Sequence, residues 1–302
     1  MASHTGTGVD QQDERLQGLL QSIDDLYSIP ETLIQILRIL DNPRSSAEEL
    51  AVVVRQDAPL MAKILRLANS PFYSGSRHMA DLQSCIAVLG FLTVRQVALC
   101  VSIASNLVAK CEGAQGRIDY KELWRHSVVT GVITKQLATL IDHPEPEELF
   151  TAGLLHDLGK FVILQKEPAL YDQIIDRRNQ ERILLVSAER DQLGYDHTVA
   201  GEAFGRAWSF PEMLVICARH HHDPPPPQKP TSRQDQAVAL VSLADNLAHT
   251  WEPARSDLGF DAQQVESRQF YRTVGLEPSV IETNQENIRS ALRMAGAFMD
   301  LA

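Results

Sequence analysis

The sequence predicts an all-α protein, a two-part helical bundle. Three observations carry that expectation. Apolar residues recur at i, i+3, i+4 and i+7 spacing along most of the 302 residues. No stretch alternates apolar and polar residues for long enough to read as a strand. Pro, Gly, Asn, Ser and Asp recur at helix-length intervals, where they start and stop helices. A hydrophobic content of 44% is ordinary for a chain that buries a sizeable core.

Residues 1–12 read as a disordered leader that lacks the basic start and apolar centre of a secretory signal. Residues 13–112 read as the first helical part. Leu16, Leu19, Leu20 and Ile23 form one stripe. Pro30 stops that segment and opens the next helix, Thr32 to Leu40, which Asn42-Pro43 ends. Ser45 and Ser46 with Glu48 and Glu49 form a cap and an acidic first turn for a helix to about Gln56. Asp57 caps a helix carrying Leu60, Ile64, Leu65 and Leu67, stopped by Asn69-Ser70-Pro71. Two more apolar helices, Leu82 to Leu89 and Val94 to Val108, are split at Gly90.

Residues 113–255 read as the second part. Lys121 to Leu140 is a long helix with Glu122 and His126 four apart, hence on one face. Pro144 and Pro146 separate it from a helix over 147–164. Helices over 168–178 and 183–193 follow. Asp196 caps the helix of His197, and Pro211 opens a helix that runs to His220-His221-His222. D-P-P-P-P-Q-K-P (223–230) reads as a stiff extended loop. Gln236 to Thr250 is an apolar helix interrupted by Asp245. Residues 256–302 are a polar tail with a last helix, about Val280 to Asp300, whose Ile281, Ile288, Leu292, Met294 and Phe298 cover the body.

Chemistry concentrates in Thr151 to Lys160, T-A-G-L-L-H-D-L-G-K. On a continuous helix His156 and Asp157 are offset by about 100°, so both can lean toward one ion. Imidazole with carboxylate suits a borderline or hard divalent metal. Lys160 falls on the same face, where an ammonium can meet a phosphate. Asp245, alone in V-A-L-V-S-L-A-D-N-L-A, needs a cation, a metal or strong donors, because an unpaired buried carboxylate is costly. Taken singly, His126 and His197 read more readily as helix-face histidines bonded to a neighbour than as ligands. Three consecutive histidines at 220–222 are less ordinary.

The run G-L-L-H-D-L-G-K resembles the core signature of the HD superfamily of metal-dependent phosphohydrolases. S-I-P at 28–30, Q-D-A-P-L-M-A-K-I-L-R-L-A-N-S-P-F-Y at 56–73 and I-A-V-L-G at 86–90 are similar to the N-terminal half of HDOD domains, HD-related output domains of bacterial signalling proteins. Together the resemblances cover about residues 15–250. They imply that His126, His156, Asp157 and Asp245 bind one divalent ion. A further similarity, to HD-GYP phosphodiesterases with multinuclear centres, implies added ligands at Glu122, His197 and His221-His222-Asp223, and a phosphate-contacting role for Lys160. Two departures stand out. HDOD proteins commonly lack several of these ligands, and the G-Y-P segment of HD-GYP proteins is replaced by the proline run.

The resemblance thus implies one or two divalent transition-metal ions, with Fe, Mn, Co, Ni and Zn all compatible with a donor set lacking thiolate. If two bind, Asp157 bridges them, and Asp157 and Lys160 are the candidate catalytic residues. The implied partners are a signalling protein or a nucleotide-type ligand. A net charge of −11 and a pI near 5.4 argue against duplex nucleic acid. No apolar run is expected to reach the roughly 18–20 residues of a membrane span. Cys85, Cys100, Cys111 and Cys217 are scattered and read as core thiols of a cytosolic protein. No receiver, cyclase or DNA-binding segment is evident, so the module reads as standing alone. Three functions fit: a regulatory module with a metal site, an active phosphohydrolase on a nucleotide or cyclic di-nucleotide, and a metal-free helical scaffold.

Overall fold

A computed structural model describes residues 15, 17–19, 30–42, 44–73, 78–108, 111, 116–223, 232–251, 271 and 273–301. Among them the regular elements are all helices: α1 (Glu31–Asp41), α2 (Ala47–Arg55), α3 (Ala58–Ala68), α4 (Leu82–Leu89), α5 (Phe91–Ile103), α6 (Tyr120–Leu140), α7 (Pro146–Leu155), α8 (Leu158–Lys166), α9 (Pro168–Glu181), α10 (Leu185–Leu193), α11 (His197–Ala207), α12 (Glu212–His220), α13 (Arg233–Trp251), α14 (Pro278–Met294) and α15 (Gly296–Met299). Of the expected first stripe, Leu19 is fully buried, while Leu16, Leu20 and Ile23 lie outside the described residues, as do the leader and the proline run.

Local chemistry explains many of the helix starts. Ser46 and Glu49 form a reciprocal capping box on α2, each bonding the other's backbone N–H at 3.2 and 3.0 Å. Asp57, Asp81, Asp119 and Asp196 accept from the first turns of α3, α4, α6 and α11. Gly90, at φ 85°, makes the break between α4 and α5 in a conformation that a side chain disfavours.

Helix α5 differs from expectation in two ways. Its last turn, Ala104–Val108, widens to a π-helix. The window Phe91–Val108 also has a mean hydropathy of 1.5 over 18 residues, so one segment does reach membrane-span length. Most of it (72%) is buried against α1, α3, α4 and α7, which identifies it as the central helix of the first half.

The two halves meet where α5 packs on α7. Beside that contact the S-P-F-Y segment places Phe72 against Phe150 and Phe298, at centroid distances of 5.7 and 5.6 Å. The C-terminal helices close the joint. Trp124 Nε1 donates to the Phe298 carbonyl at 2.8 Å, and Ile281, Ile288, Leu292 and Phe298 are buried as the sequence expects, while Met294 is exposed.

The second half is organised on α6, which packs on α7 and α13. Helix α11 lies across α8 at Gly159 and Gly201. A Cβ on Gly159 would sit 1.8 Å from the His197 carbonyl oxygen and 2.6 Å from the Gly201 nitrogen, so this crossing requires glycine. The expected single helix over 147–164 is corrected here. It breaks into α7 and α8 at His156-Asp157, where Asp157 takes φ −94° and ψ 15°. The pair therefore occupies a corner between two helices, and the corner brings Lys160 back toward Asp157.

Candidate metal centre

Side chains from α6, the α7–α8 corner, α8, α11, the end of α12 and α13 converge in the second half. Three groups of potential ligands each lie within 4.8 Å: Asp157, His197, His221 and His222; His126, His156 and Asp157; His126, Asp245 and His249. Asp157 belongs to the first two groups and presents one oxygen to each. Its Oδ1 faces His197 Nε2 and His221 Nε2, both at 3.5 Å. Its Oδ2 faces His156 Nε2 at 3.3 Å, His126 Nε2 at 3.7 Å and Lys160 Nζ at 2.7 Å. Asp245 Oδ1 lies 2.9 Å from His126 Nε2 and 3.6 Å from His156 Nε2.

The ring orientations suit metal binding. His156 Nδ1 lies 2.7 Å from the Gly153 carbonyl and His221 Nδ1 lies 3.0 Å from the Ala218 carbonyl. Each carbonyl needs a donor, so Nδ1 carries a proton and Nε2 points into the centre. His197 Nδ1 is held at 2.7 Å by Glu189, a buried carboxylate that also receives the Tyr171 hydroxyl at 2.6 Å. This carboxylate–histidine pairing is the kind that orients metal-binding histidines. His197 Nε2 then meets His222 Nε2 at 3.0 Å, ring nitrogen to ring nitrogen. Three buried atoms at the focus, His156 Nε2, Asp157 Oδ1 and His221 Nε2, have no hydrogen-bond partner. Buried polar atoms are rarely left so, and ions on the two sides of Asp157 would complete all three. The donor set fits a divalent transition metal.

The electrostatics agree. Burial pulls the His156 imidazole toward neutrality, yet the carboxylates of Asp157 and Asp245 outweigh it and carry its pKa up to about 10, so Nε2 holds a proton that a bound ion would displace. Burial would raise Asp157, but His156 and Lys160 hold it well below the usual carboxylate range. Two buried carboxylates thus set up a field that favours positive charge at their midpoint. By contrast, burial pushes His126 down to about 4, and burial beside His221 and His197 pushes His222 well below its ordinary value. These rings are neutral, the form that binds a metal.

Seven of the nine sequence-expected ligands come together: His126, His156, Asp157, His197, His221, His222 and Asp245. Glu122 does not join them. In the first turn of α6 it lies 3.6 Å from Arg125, three residues on, and its side chain is 30% exposed. Asp223 is exposed and belongs to none of the groups. His220 is exposed as well, because the helix ends there and only His221 and His222 turn inward. Two participants escaped the sequence reading. His249 stands four residues after Asp245 in D-N-L-A-H, a spacing that puts both on one helix face and was there to be read. Glu189 carried no such signal, since a single acid in L-V-S-A-E-R-D reads as a solvated face. Leu154, Leu155 and Leu243, expected to lock the ligand-bearing helices together, are all buried.

The HDOD domain family matches residues 26–224. An uncharacterized protein of Treponema pallidum (strain Nichols) is 23% identical over 198 residues, which is 65% of this chain; the chain spans 37% of that relative's length. The solved HDOD domain protein with unknown function from Geobacter sulfurreducens is 23% identical with a TM-score of 0.70, covering 94% of this chain and 98% of that one. A Shewanella amazonensis SB2B structure named "Putative phosphohydrolase" gives a TM-score of 0.70 at 21% identity, covering 94% and 96% of the two chains. At these identities the structural likeness is one of fold.

Proposed function

The chain belongs to the HDOD family, and from that premise we propose that it is a bacterial, cytoplasmic regulatory protein whose second half holds one or two divalent transition-metal ions. One observation carries the reading: the two oxygens of Asp157 face two separate sets of imidazole nitrogens, three of whose rings are aimed inward by backbone carbonyls and Glu189. His197, His221 and His222 would hold one ion on the Oδ1 side. His126, His156 and Asp245 would hold one on the Oδ2 side. The ligand set is the HD-GYP-like one without Glu122. The first half, with its own apolar core, would present the surface for a signalling protein or a nucleotide-type ligand.

Burial favours regulation over turnover. The side chains of His126, His156, Asp157, Lys160, His197, His221 and Asp245 are between 0 and 6% exposed, which leaves a bulky phosphodiester little direct access. A second reading, a metal-dependent phosphohydrolase, draws on Lys160. Its ammonium sits on Asp157 beside both ligand sets, where a cation can neutralise a phosphate. A bound divalent ion would supply Lewis-acid polarisation and a lowered water pKa there.

Metal analysis of protein purified without chelator or oxygen tests the proposal. The expected result is at least one first-row metal ion per chain in the wild type and its loss in an Asp157→Ala, His156→Ala double variant. Wild-type protein free of metal after reconstitution would end it. Hydrolysis of an aryl phosphodiester or cyclic di-nucleotide by loaded protein, slowed by Lys160→Ala with metal retained, would move the assignment to the second reading.

A further inference from the structure

We propose that His126, Asp245 and His249 form an additional ion position at the α6–α13 end of the centre, with His249 as a ligand. This rests on reading the centre as metal-binding and extends it by one ion. His249 follows Asp245 by one helical turn on α13, so both side chains leave the same face. His249 Nε2 lies 3.3 Å from Asp245 Oδ1, and His126 Nε2 lies 2.9 Å from the same oxygen. The two rings lie nearly parallel, 4.4 Å apart and inclined by 20°, and the His249 side chain is only 5% exposed.

These separations are those of ligands around one ion. Donors about 2.1 Å from a metal and roughly 90–110° apart lie about 3.0–3.4 Å from each other. His126 and His249 both direct Nε2 at Asp245 Oδ1, at 2.9 and 3.3 Å, so two rings from different helices converge on one buried carboxylate oxygen, with His156 Nε2 farther off at 3.6 Å. All three donor atoms of His126, Asp245 and His249 lie within 4.8 Å of one another.

Ligand accounting then separates the ions. One imidazole nitrogen serves one ion, whereas a carboxylate has two oxygens and can serve two. With three ions, His126 passes from the Oδ2-side position to the additional one beside His249, which leaves His156, Asp157 and Asp245 for the middle position and Asp157, His197, His221 and His222 for the outer one. Each ring nitrogen has a single ion, and each aspartate lies between neighbouring positions. The Glu122 carboxylate, turned to Arg125, is replaced at this end by an imidazole.

Full-length protein, stripped and then reconstituted anaerobically with Mn²⁺, reports the ion count at saturation by mass spectrometry after desalting and by calorimetric titration. Circular dichroism verifies that each variant is folded. The expected result is three ions per chain in the wild type and two in His249→Ala and His249→Gln. Glutamine keeps an N–H donor for Asp245 but removes the imidazole ligand, so it separates the two roles and serves if the alanine variant fails to fold. Saturation of the wild type at one or two ions, or an unchanged count with weaker affinity in His249→Gln, would overturn the inference and leave His249 as a hydrogen-bond partner of Asp245. Those outcomes leave the centre itself standing, whereas a wild type that binds no ion would overturn both.

Discussion

Helices α1–α5 and helices α6–α13 are built from similar apolar packing but bury very different polar groups. Among the described residues, the first set encloses Leu33, Ile36, Leu50, Val54, Ile64 and their neighbours, with little polar company beyond Ser70, Gln96 and Ser102. The second set encloses His126, His156, Asp157, Lys160, His197 and Asp245 within equally tight apolar surroundings. The contrast shows two ways of using a helical bundle. One region derives its stability from area removed from water and from local caps. The other uses rigid apolar packing to hold charged groups where solvent cannot neutralise them, an arrangement that a bound ion would complete.

Three substitutions would break or sharpen that contrast. The largest effect is expected at Gly159, where an added methyl group meets backbone atoms of α11 that cannot rotate away. Gly159→Ala should cost more than about 4 kcal/mol, read by chemical denaturation, and should abolish metal retention because His197 moves with that crossing. A variant of near wild-type stability and metal content would show that the crossing yields easily and does not set the ligand geometry. Next, Leu33→Ala, in the fully buried centre of the first half, should cost about 3 kcal/mol. Below its lowered melting temperature, metal content should stay at the wild-type value. Loss of metal in this variant would mean that the halves are coupled far more tightly than their contents suggest. Smallest, Ser46→Ala removes the capping box of α2 and should lower stability by about 1 kcal/mol, with no change in metal. A shift within error in thermal melts would mean that Glu49 and water satisfy that helix end unaided.

How far the sequence could be read depended on the range of the physics involved. The capping boxes, the proline and glycine stops and the apolar stripes act over three or four residues, so α1–α4 and α11 appear near their expected bounds. The α7–α8 break could not be read that way. Leu154, Leu155 and Leu158 continue a helical apolar pattern straight through His156-Asp157, so nothing local marks the corner, which lies beside the close approach of α11 at Gly159. Phe91–Val108 was missed in another way: no apolar run of span length was expected, yet this helix, wrapped by others, matches a membrane span in length and composition.

The helical class, the family and the seven side chains that converge were legible in the chain alone, because these are carried by local periodicity and by short strings such as G-L-L-H-D-L-G-K. Which of the nine proposed side chains meet was settled only by the tertiary structure. It turned Glu122 toward Arg125, brought in His249, and set Glu189 behind His197. The reason is physical: what coordinates a centre is distance between atoms on different helices, and the packing of α6, α8, α11 and α13 sets those distances, which no periodicity within one helix can express.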